Sequence, residues 1–311
     1  MKILITGASG SIGSEIVRQL IQDNEIICFD RNEEKVFYLE KEIRANYPNS
    51  KFTVCLGDIT NYQRLQQVFD EQSPDMVYHT AANKHVPLGE TNVHEFVHNN
   101  IYGTINVATI AMNHRVPLVF ISTDKAVEPT SVMGYTKRLC EKYLLNLSGR
   151  YDTKIIVCRF GNIIGSSGSV YQLFEKQARE GCIKVTHPDM ERYFISVHKA
   201  VHNLIKCSEL ESGLYTFNMG NPIRIYELAE HFAYNYGVNC KIEITGLRPG
   251  EKIKEKLIYD YEELEVIDEN IFRIKFFPSY VGGIAEIYML SSMNKRLTVD
   301  EIIQQFKRLG K

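Results

Sequence analysis

The 311-residue sequence lacks the features that mark zinc sites, disulfide frameworks and membrane spans. Its seven cysteines are scattered without a CxxC pair and their number is odd, which argues against a metal site and against a set of disulfides. No uninterrupted apolar run approaches the roughly 18 residues that a membrane-spanning helix needs. The three apolar residues after Lys2 are also too few for the apolar region of a signal peptide.

An excess of charge of one sign is also missing. The 36 lysines and arginines nearly balance the 38 aspartates and glutamates, and no long block of one sign occurs. A nucleic acid or an anionic membrane surface would require a basic patch, so the sequence predicts neither partner. Together with the cysteine usage, this predicts a cytoplasmic protein without a metal.

The composition is that of an ordinary globular enzyme. Hydrophobic residues make up 44% of the chain and charged residues 24%, values that exclude disordered, collagen-like and fibrous classes. At roughly 100–200 residues per domain, the length predicts about two domains.

Short apolar runs alternate with amphipathic stretches in the first half of the chain. Residues 2–6, 25–29, 51–56, 75–80, 117–122 and 154–160 are predicted strands. Residues 14–22, 33–46, 62–72, 93–114 and 131–147 are predicted helices. This alternation predicts an α/β fold with a doubly wound parallel sheet and helices on both faces.

The regular alternation ends near residue 161. We therefore predict one domain over residues 1–161 and a smaller, irregular α/β lobe over residues 162–311. Residues 200–209 are expected to return to the flank of the main sheet.

A glycine-rich turn joins the first strand to the first helix. Its sequence GASGSIG places Gly7, Gly10 and Gly13 three residues apart, with Ser9, Ser11 and Ile12 between them. Such a turn lets the backbone approach a pyrophosphate, which the N–H groups at the helix N-terminus then bind. The alternative is an ordinary glycine-rich turn, but the strand–turn–helix context favours a nucleotide. The GxxGxxG spacing resembles that of the short-chain dehydrogenase/reductase superfamily.

Acidic residues after the next two strands complete a predicted cofactor site. Asp30 can accept hydrogen bonds from an adenosine ribose and repels a 2′-phosphate, which favours NAD, although Arg31 beside it could accommodate NADP. Asp58 could bind the adenine amine next to Ile59, or it could cap the following helix. Further predicted cofactor contacts are Ala81, Ala82, Lys84, Asn99 and Lys137.

A second set of polar residues follows the fifth predicted strand, where ligands of open α/β sheets bind. The segment STDK contains Thr123, Asp124 and Lys125, and VMGYTK follows with Lys137 at its end. Both resemble the active-site segments of extended short-chain dehydrogenases, which carry a Tyr-x-x-x-Lys pair. In this sequence Met133 stands four residues before Lys137, where the tyrosine is expected. Tyr135 lies roughly 200° around the helix from that position and cannot easily replace it.

The methionine in place of the motif tyrosine restricts the resemblance to a smaller group within this superfamily. The segment STDKAVEPTSVMGYTKR is similar to the UDP-N-acetylglucosamine 4,6-dehydratases, in the subgroup with methionine at the tyrosine position. ANKHVPL, RFGN, RYF and RPGEK also match, so that the resemblance covers essentially the whole chain. It implies a Rossmann-type fold, tightly held NAD, a homo-oligomer, and a short version of relatives that carry a membrane anchor before this domain.

The resemblance also implies roles for the catalytic residues. Asp124 would be the acid at O6 of the sugar, Lys125 the base at C5, and Thr123 the hydrogen-bond partner of the 4-hydroxyl. Lys137 would bind the nicotinamide ribose. Met133 cannot ionise, so the 4-hydroxyl proton would pass to Asp124 or to water. A surface ion pair for Asp124 and Lys125, and core packing for Met133, are the structural alternatives.

The UDP-sugar would bind mainly in the irregular lobe. Arginines suit a diphosphate because the guanidinium group donates two parallel hydrogen bonds. The candidates are Lys84, His85, Asn162, Arg192, Arg248 and Glu251, the last for the uridine ribose. A solvated surface arginine and a neutral structural histidine are the respective alternatives.

The sequence therefore predicts NAD-dependent 4,6-dehydration of UDP-GlcNAc, with retention at C5 and a product of xylo configuration, for cell-surface glycan synthesis. A UDP-sugar 4-epimerase is the alternative within catalysis. It has no obvious use for the Asp124–Lys125 pair and normally needs the missing tyrosine. A catalytically inactive NAD-binding sensor is the alternative outside catalysis.

Overall fold

A computed structural model describes residues 1–148, 151–166, 168–236, 240–276 and 304 of the chain. The part of the predicted lobe beyond residue 276, apart from residue 304, therefore lies outside the described residues. The strands are β1 Lys2–Thr6, β2 Glu25–Asp30, β3 Phe52–Leu56, β4 Met76–His79, β5 Leu118–Thr123, β6 Ile155–Phe160, β7 Asn162–Ile164, β8 Cys182–Val185, β9 Glu191–Arg192, β10 Phe194–Ser196, β11 Gly213–Phe217, β12 Ile223–Arg224, β13 Lys241–Ile244, β14 Glu262–Val266 and β15 Ile271–Phe276. The helices are α1 Ser11–Leu20, α2 Glu33–Asn46, α3 Tyr62–Gln72, α4 Val86–Thr91, α5 Val93–Phe96, α6 Gly103–Asn113, α7 Val132–Ser148, α8 Val170–Arg179, α9 Val197–Glu209 and α10 Ile225–Tyr236.

A nine-stranded sheet dominates the described part of the chain. Its strand order is β14-β15-β11-β6-β5-β4-β1-β2-β3. The run from β11 to β3 is parallel, and β15 and β14 extend it as antiparallel strands at one edge. The central strands are almost entirely buried, as is usual when both faces of a parallel sheet are covered.

Helices cover both faces because successive side chains of each strand point to opposite sides. On one face Leu4, Phe120 and Val157 share a core with residues of α3, α6 and α7. On the other face Ile5 and Val119 share a core with residues of α1, α2 and α9. The predicted doubly wound sheet is therefore confirmed.

The six predicted strands and the first three predicted helices occur within a few residues of their expected bounds. Helix α1 begins at Ser11 rather than residue 14, because the end of the glycine turn already forms the first helical turn. Helix α4 was not predicted. It is only six residues long, with Pro87 in its first turn, where a missing N–H removes no intrahelical bond.

The predicted helix over residues 93–114 is divided into three parts. A π-helical turn, Val97–Tyr102, separates α5 from α6. The turn buries Asn99 and Asn100, and such turns often occur at functional sites.

The chain after residue 161 supplies both sheet strands and separate small sheets. β11, β14 and β15 join the main sheet, whereas β7 with β10, β9 with β12, and β8 with β13 form two-stranded sheets. Helices α8 and α10 pack together around Phe174, Ile183 and Phe232. Helix α9 packs against α1 and the strands β6 and β11.

Candidate active site

The glycine turn between β1 and α1 packs closely against the backbone of the loop after β4. Gly7 has φ +69°, and a Cβ there would lie 2.7 Å from backbone atoms of Ala81. Helix α1 starts directly after the turn, with Gly10 as its N-cap. Because glycine has no side chain with which to cap the helix, the first N–H groups of α1 are available to an anion.

A groove runs along the carboxyl ends of β1, β2 and β4. It contains ten of the residues predicted to bind the cofactor: Gly7, Ser9, Gly10, Asp30, Arg31, Asp58, Ile59, Ala81, Ala82 and Asn99. Its lining also contains five residues that were not predicted: Phe29, Asn32, Lys35, Gly57 and Thr80. Five predicted residues lie outside that lining: Ser11, Ile12, Gly13, Lys84 and Lys137.

The Asp30 carboxylate is fixed at the edge of the groove. One oxygen accepts hydrogen bonds from the Ser9 backbone N–H at 2.9 Å and from the Ser9 hydroxyl at 2.7 Å. The other accepts from the backbone N–H of Asn32 at 2.9 Å. Since carboxylate oxygens can accept further bonds, Asp30 remains suited to bind ribose hydroxyls.

Asp58 lies across the groove and forms an ion pair with Arg31 at 3.1 Å. Burial would raise the pKa of the Asp58 carboxyl, but hydrogen bonds from Thr60 and Arg31 outweigh this and hold it below its usual value. The N-cap of α3 is Asn61 rather than Asp58. Arg31 also donates to the side chain of Asn83, so that it is engaged on both sides.

The predicted acid and base lie on a single 3₁₀ turn after β5. The Lys125 ammonium donates to Asp124 Oδ1 at 2.9 Å and to Asn162 Oδ1 at 3.1 Å. The Thr123 hydroxyl also donates to Asp124 Oδ1, at 2.9 Å. The Asp124 side chain is fully buried and that of Lys125 is 19% exposed, so this is not a surface ion pair.

The second carboxyl oxygen of Asp124 is available. Asp124 Oδ2 is buried and has no hydrogen-bond partner among the described residues. Leaving a buried carboxylate oxygen unpaired costs stability, which is the kind of arrangement found at functional sites.

The first turn of helix α7 packs against the 3₁₀ turn that contains Asp124 and Lys125. A Cβ on Gly134 would lie 2.4 Å from the backbone oxygen of Lys125, so only glycine allows the observed approach. Met133 is 4% exposed and packs in the core between α7 and the sheet. Tyr135 is partly buried, and burial together with Glu90 raises the pKa of its hydroxyl.

Lys137 lies beneath the end of β5. Its ammonium group donates to the backbone oxygen of Ile121 at 2.7 Å and lies 4.4 Å from the centre of the Phe120 ring. Burial lowers the pKa of Lys137 to about 8. The site therefore contains a buried amine whose charge responds to mildly alkaline pH.

The residues predicted to bind the nucleotide are tied to one another and to the loop after β13. Arg248 donates to the Glu251 carboxylate from its guanidinium and its backbone N–H. Burial would raise the pKa of Glu251, but these bonds hold it below its usual value. Arg192 donates to the backbone oxygens of Glu191, Lys252 and Ile253, and so holds this loop in place.

Lys84 and His85 lie before α4, with His85 as the N-cap of that helix. Burial lowers the pKa of both side chains, with smaller contributions from Lys35 for Lys84 and from Lys84 for His85. A Cβ built on Gly168 would lie 3.0 Å from the His85 ring, so the histidine borders the loop before α8.

Two residues near the predicted catalytic turn were not among the assigned site residues, although the sequence offers Asn100 beside Asn99 as a candidate contact of the backbone or the cofactor. The Glu255 carboxylate lies 3.7 Å from the ammonium group of Lys125. The side chain of Asn100 joins the loop at Asn83 to Thr136 of α7. The only local signal was the spacing of Glu255 three residues after Lys252, which allows an ion pair. The contacts of Glu255 with Lys125, and of Asn100 with Asn83 and Thr136, join residues far apart in the sequence.

No helix in the described part of the chain is long and apolar enough to cross a membrane. No three His, Cys, Asp or Glu side chains within the described ranges lie close enough together to hold a metal ion.

Comparisons with known proteins support the resemblance noted in the sequence. The capsular polysaccharide biosynthesis protein CapD of Staphylococcus aureus is 38% identical over 318 residues, covering 98% of this chain and 51% of CapD. The chain therefore spans about half the length of that relative. A UDP-N-acetylglucosamine 4,6-dehydratase (inverting) of Campylobacter jejuni is 32% identical over 287 residues, covering 86% of this chain and 83% of that protein.

A UDP-glucose 4-epimerase of Rickettsia prowazekii is also 32% identical, over 325 residues that cover 96% of this chain and 93% of the epimerase. Among solved structures, Pen from Bacillus thuringiensis has a TM-score of 0.81 and 33% identity, covering 89% of each chain. The family resemblance is confirmed, and the methionine subgroup stays a prediction. The family described as polysaccharide biosynthesis protein matches residues 3–275, and the chain belongs to this family.

Proposed function

We propose that the chain catalyses the NAD-dependent 4,6-dehydration of UDP-GlcNAc, with retention at C5. The observation that carries this proposal is the buried Asp124–Lys125 pair at the carboxyl end of β5, close to the start of α7. Dehydration requires an acid and a base beside one sugar, and this pair supplies both. The 4,6-dehydratase of Campylobacter jejuni, 32% identical over most of this chain, supports the same reaction class.

The groove at the glycine turn suits NAD. Gly7 leaves no room for a side chain beside Ala81, and the unblocked N-terminus of α1 faces the site that a pyrophosphate would take. Asp30 lines this groove, where it would accept hydrogen bonds from the adenosine ribose and disfavour the 2′-phosphate of NADP. When bound, NAD supplies hydride acceptance at C4 and hydride return at C6.

The protein groups supply the proton transfers. Thr123 binds the 4-hydroxyl, and the charge of Lys137 eases the loss of its proton to Asp124 or to water. Lys125 removes the proton from C5, and Asp124 protonates the departing 6-hydroxyl, which leaves as water. A proton then returns to C5, so that the sugar loses one water in total. Retention at C5 follows the methionine at position 133, by the resemblance to the methionine subgroup.

The nucleotide would lie against the loop after β13. Arg248 is exposed on this loop and pairs with the more buried Glu251. Arg192 donates to the loop backbone at Lys252 and Ile253, and Asn162 accepts a hydrogen bond from Lys125. Lys84 and His85 would border the sugar. Rearrangement of the Arg248–Glu251 pair on binding would allow the guanidinium to contact phosphate and the carboxylate to contact ribose hydroxyls.

Proton NMR of the purified protein with UDP-GlcNAc in deuterated water tests the proposal. We expect a new C6 methyl signal, deuterium at C5, and ring couplings of the xylo configuration. Asp124→Asn and Lys125→Ala should abolish this signal without loss of NAD binding. Lys256→Ala, on the exposed side of the same loop region, is the matched control and should retain turnover. Normal turnover in either active-site variant would contradict the assigned roles.

UDP-sugar 4-epimerisation is the second candidate, because the Rickettsia prowazekii epimerase matches 96% of this chain. It predicts a galacto-configured product without a methyl signal in the same experiment. Unchanged UDP-sugars in the presence of bound NAD would instead support a non-catalytic NAD-binding protein.

A further inference from the structure

Glu255 is a buried carboxylate that the proposed reaction does not use. It lies in the loop between β13 and β14, three residues after Lys252, and is 7% exposed. Glutamate is almost never buried to this extent unless its charge is paired. Its partners therefore indicate why the chain carries a carboxylate at this position.

Both oxygens of Glu255 face lysines. Oε2 accepts a hydrogen bond from Lys252 Nζ at 2.9 Å, and Oε1 lies 3.7 Å from Lys125 Nζ. Lys252 Nζ also donates to the backbone oxygen of Val127 at 2.7 Å, two residues after Lys125. Glu255 and Lys252 thus connect the loop after β13 to the turn that holds the proposed base.

Three oxygen atoms surround the Lys125 ammonium group. Besides Glu255 Oε1, they are Asp124 Oδ1 and Asn162 Oδ1. Among the described residues, Asp124 and Glu255 are the carboxylates within 4.0 Å of Lys125 Nζ, and Lys252 is the cation on the far side of Glu255. These acceptors restrict where the ammonium group of Lys125 can lie.

We propose that Glu255 is a positioning residue that holds the Lys125 side chain in place and sets the pH range in which it serves as a base. The inference rests on the proposed function, which assigns the base role to Lys125. Glu255 itself touches neither reacting atom and acts through Lys125.

Competitive labelling with acetic anhydride tests the contact without any substrate. The acetylation rate of Lys125 is measured by peptide mass spectrometry between pH 6.5 and 10.5 in the wild type and in Glu255→Gln. We expect the labelling midpoint of Lys125 to move to lower pH in the variant, because the variant lacks the carboxylate beside the ammonium group. Exposed Lys256, which pairs with Glu128 and Asp260, is the internal reference and should keep its labelling rate at each pH. An unchanged Lys125 midpoint in folded protein would overturn the proposal.

A pH profile of turnover provides the second measurement. In Glu255→Gln the acidic limb of the kcat profile should move to lower pH while KM stays within about twofold. The acidic limb of Glu255→Asp should lie between those of Glu255→Gln and the wild type. Glu265→Gln, which removes an exposed pair with Lys275 at the far edge of the sheet, is the matched control. A structural defect alone would lower kcat without moving the limb.

The two hypotheses fail separately. Absence of the methyl product in the wild type would reject dehydration, while the labelling midpoint would still show whether Glu255 controls Lys125. Wild-type turnover with an unmoved acidic limb in Glu255→Gln would reject the role of Glu255 alone.

Discussion

The ammonium group of Lys137 in α7 donates a 2.7 Å hydrogen bond to the backbone oxygen of Ile121 in β5. This bond joins the helix that carries Met133 to the strand that ends in Thr123. It also takes a cation almost wholly out of water, and burial lowers the pKa of Lys137 to about 8. A buried amine that costs stability at neutral pH, and is placed beside the predicted active site, is expected where its charge is needed for function.

Lys137→Met should therefore change how stability depends on pH. Between pH 8 and 10.5 the unfolded wild type binds more protons at Lys137 than the native protein does, so wild-type stability rises with pH in this range. The variant lacks this contribution. The free energy of unfolding of the variant minus that of the wild type, measured with urea, should be largest below pH 8. This difference should shrink by about 3 kcal/mol as pH approaches 10.5. The exposed control Lys256→Met should not show this trend, and a pH-independent difference for Lys137→Met would contradict the prediction.

Met133→Leu should be tolerated. The Met133 side chain is 4% exposed in a packed core, and a volume-conserving apolar replacement usually costs less than about 1.5 kcal/mol. If methionine contributes shape rather than proton transfer, turnover should stay within roughly threefold and the C5 configuration of the product should not change. Steady-state rates and NMR of the product provide the measurement. A loss of more than tenfold in a stably folded variant would show that the sulfur itself is required.

Asn100→Asp should weaken NAD binding. The Asn100 amide donates to the Asn83 backbone oxygen at 2.9 Å and to the Thr136 hydroxyl at 3.1 Å, and accepts from the Asn83 N–H at 2.7 Å. A carboxylate loses both donations and places an oxygen against the Asn83 carbonyl, which should cost roughly 2 kcal/mol.

Since the loop at residues 81–83 borders the groove, calorimetric titration should show about tenfold weaker binding of NAD in the Asn100→Asp variant. Asn113→Asp, at the exposed end of α6, applies the same chemical change away from the groove and should bind NAD normally. Equal affinity in the two variants would reject a role for Asn100.

Local sequence patterns predicted those elements of the fold whose residues lie close together in the sequence. The six strands and the glycine turn follow from apolar periodicity and from residues a few positions apart. The π-helical turn could not be predicted in this way, because Asn100 is buried against Asn83 and Thr136, the latter 36 residues away. The Glu255–Lys125 contact joins residues more than a hundred positions apart, and no periodicity encodes it.

The division at residue 161, the homo-oligomeric state and the cytoplasmic location stay predictions. The roles of individual site residues also stay predictions, although ten of those assigned to the cofactor line one groove. That clustering is the physical reason why the sequence motifs were informative: the ends of parallel strands meet at one edge of the sheet.

Glu141→Gln should destabilise the protein strongly. The Glu141 carboxylate in α7 accepts hydrogen bonds from the Ser122 hydroxyl at 2.6 Å and from two nitrogens of Arg159 at 2.8 and 3.0 Å. Arg159 is also paired with Glu262 of β14 at 2.7 Å, so the cluster joins α7 to the strands β5, β6 and β14. Removing one charge from a buried pair typically costs about 3–5 kcal/mol. Because Arg159 keeps Glu262 as a partner in the variant, we expect a loss near the lower end of this range.

The pH dependence of this loss has a defined sign. Burial would raise the pKa of Glu141, but Arg159, Arg138 and the Ser122 hydroxyl outweigh it and hold the pKa below the ordinary value of 4.5. The stability that the carboxylate contributes is therefore fully present above pH 4.5 and is lost as pH falls through its lower value in the native protein. Urea unfolding should show the full difference between wild type and Glu141→Gln at pH 7 and a smaller one in acid. Glu265→Gln, at a carboxylate whose side chain is 39% exposed, should stay within about 1 kcal/mol of the wild type. A comparably small effect of Glu141→Gln at pH 7 would contradict the buried cluster.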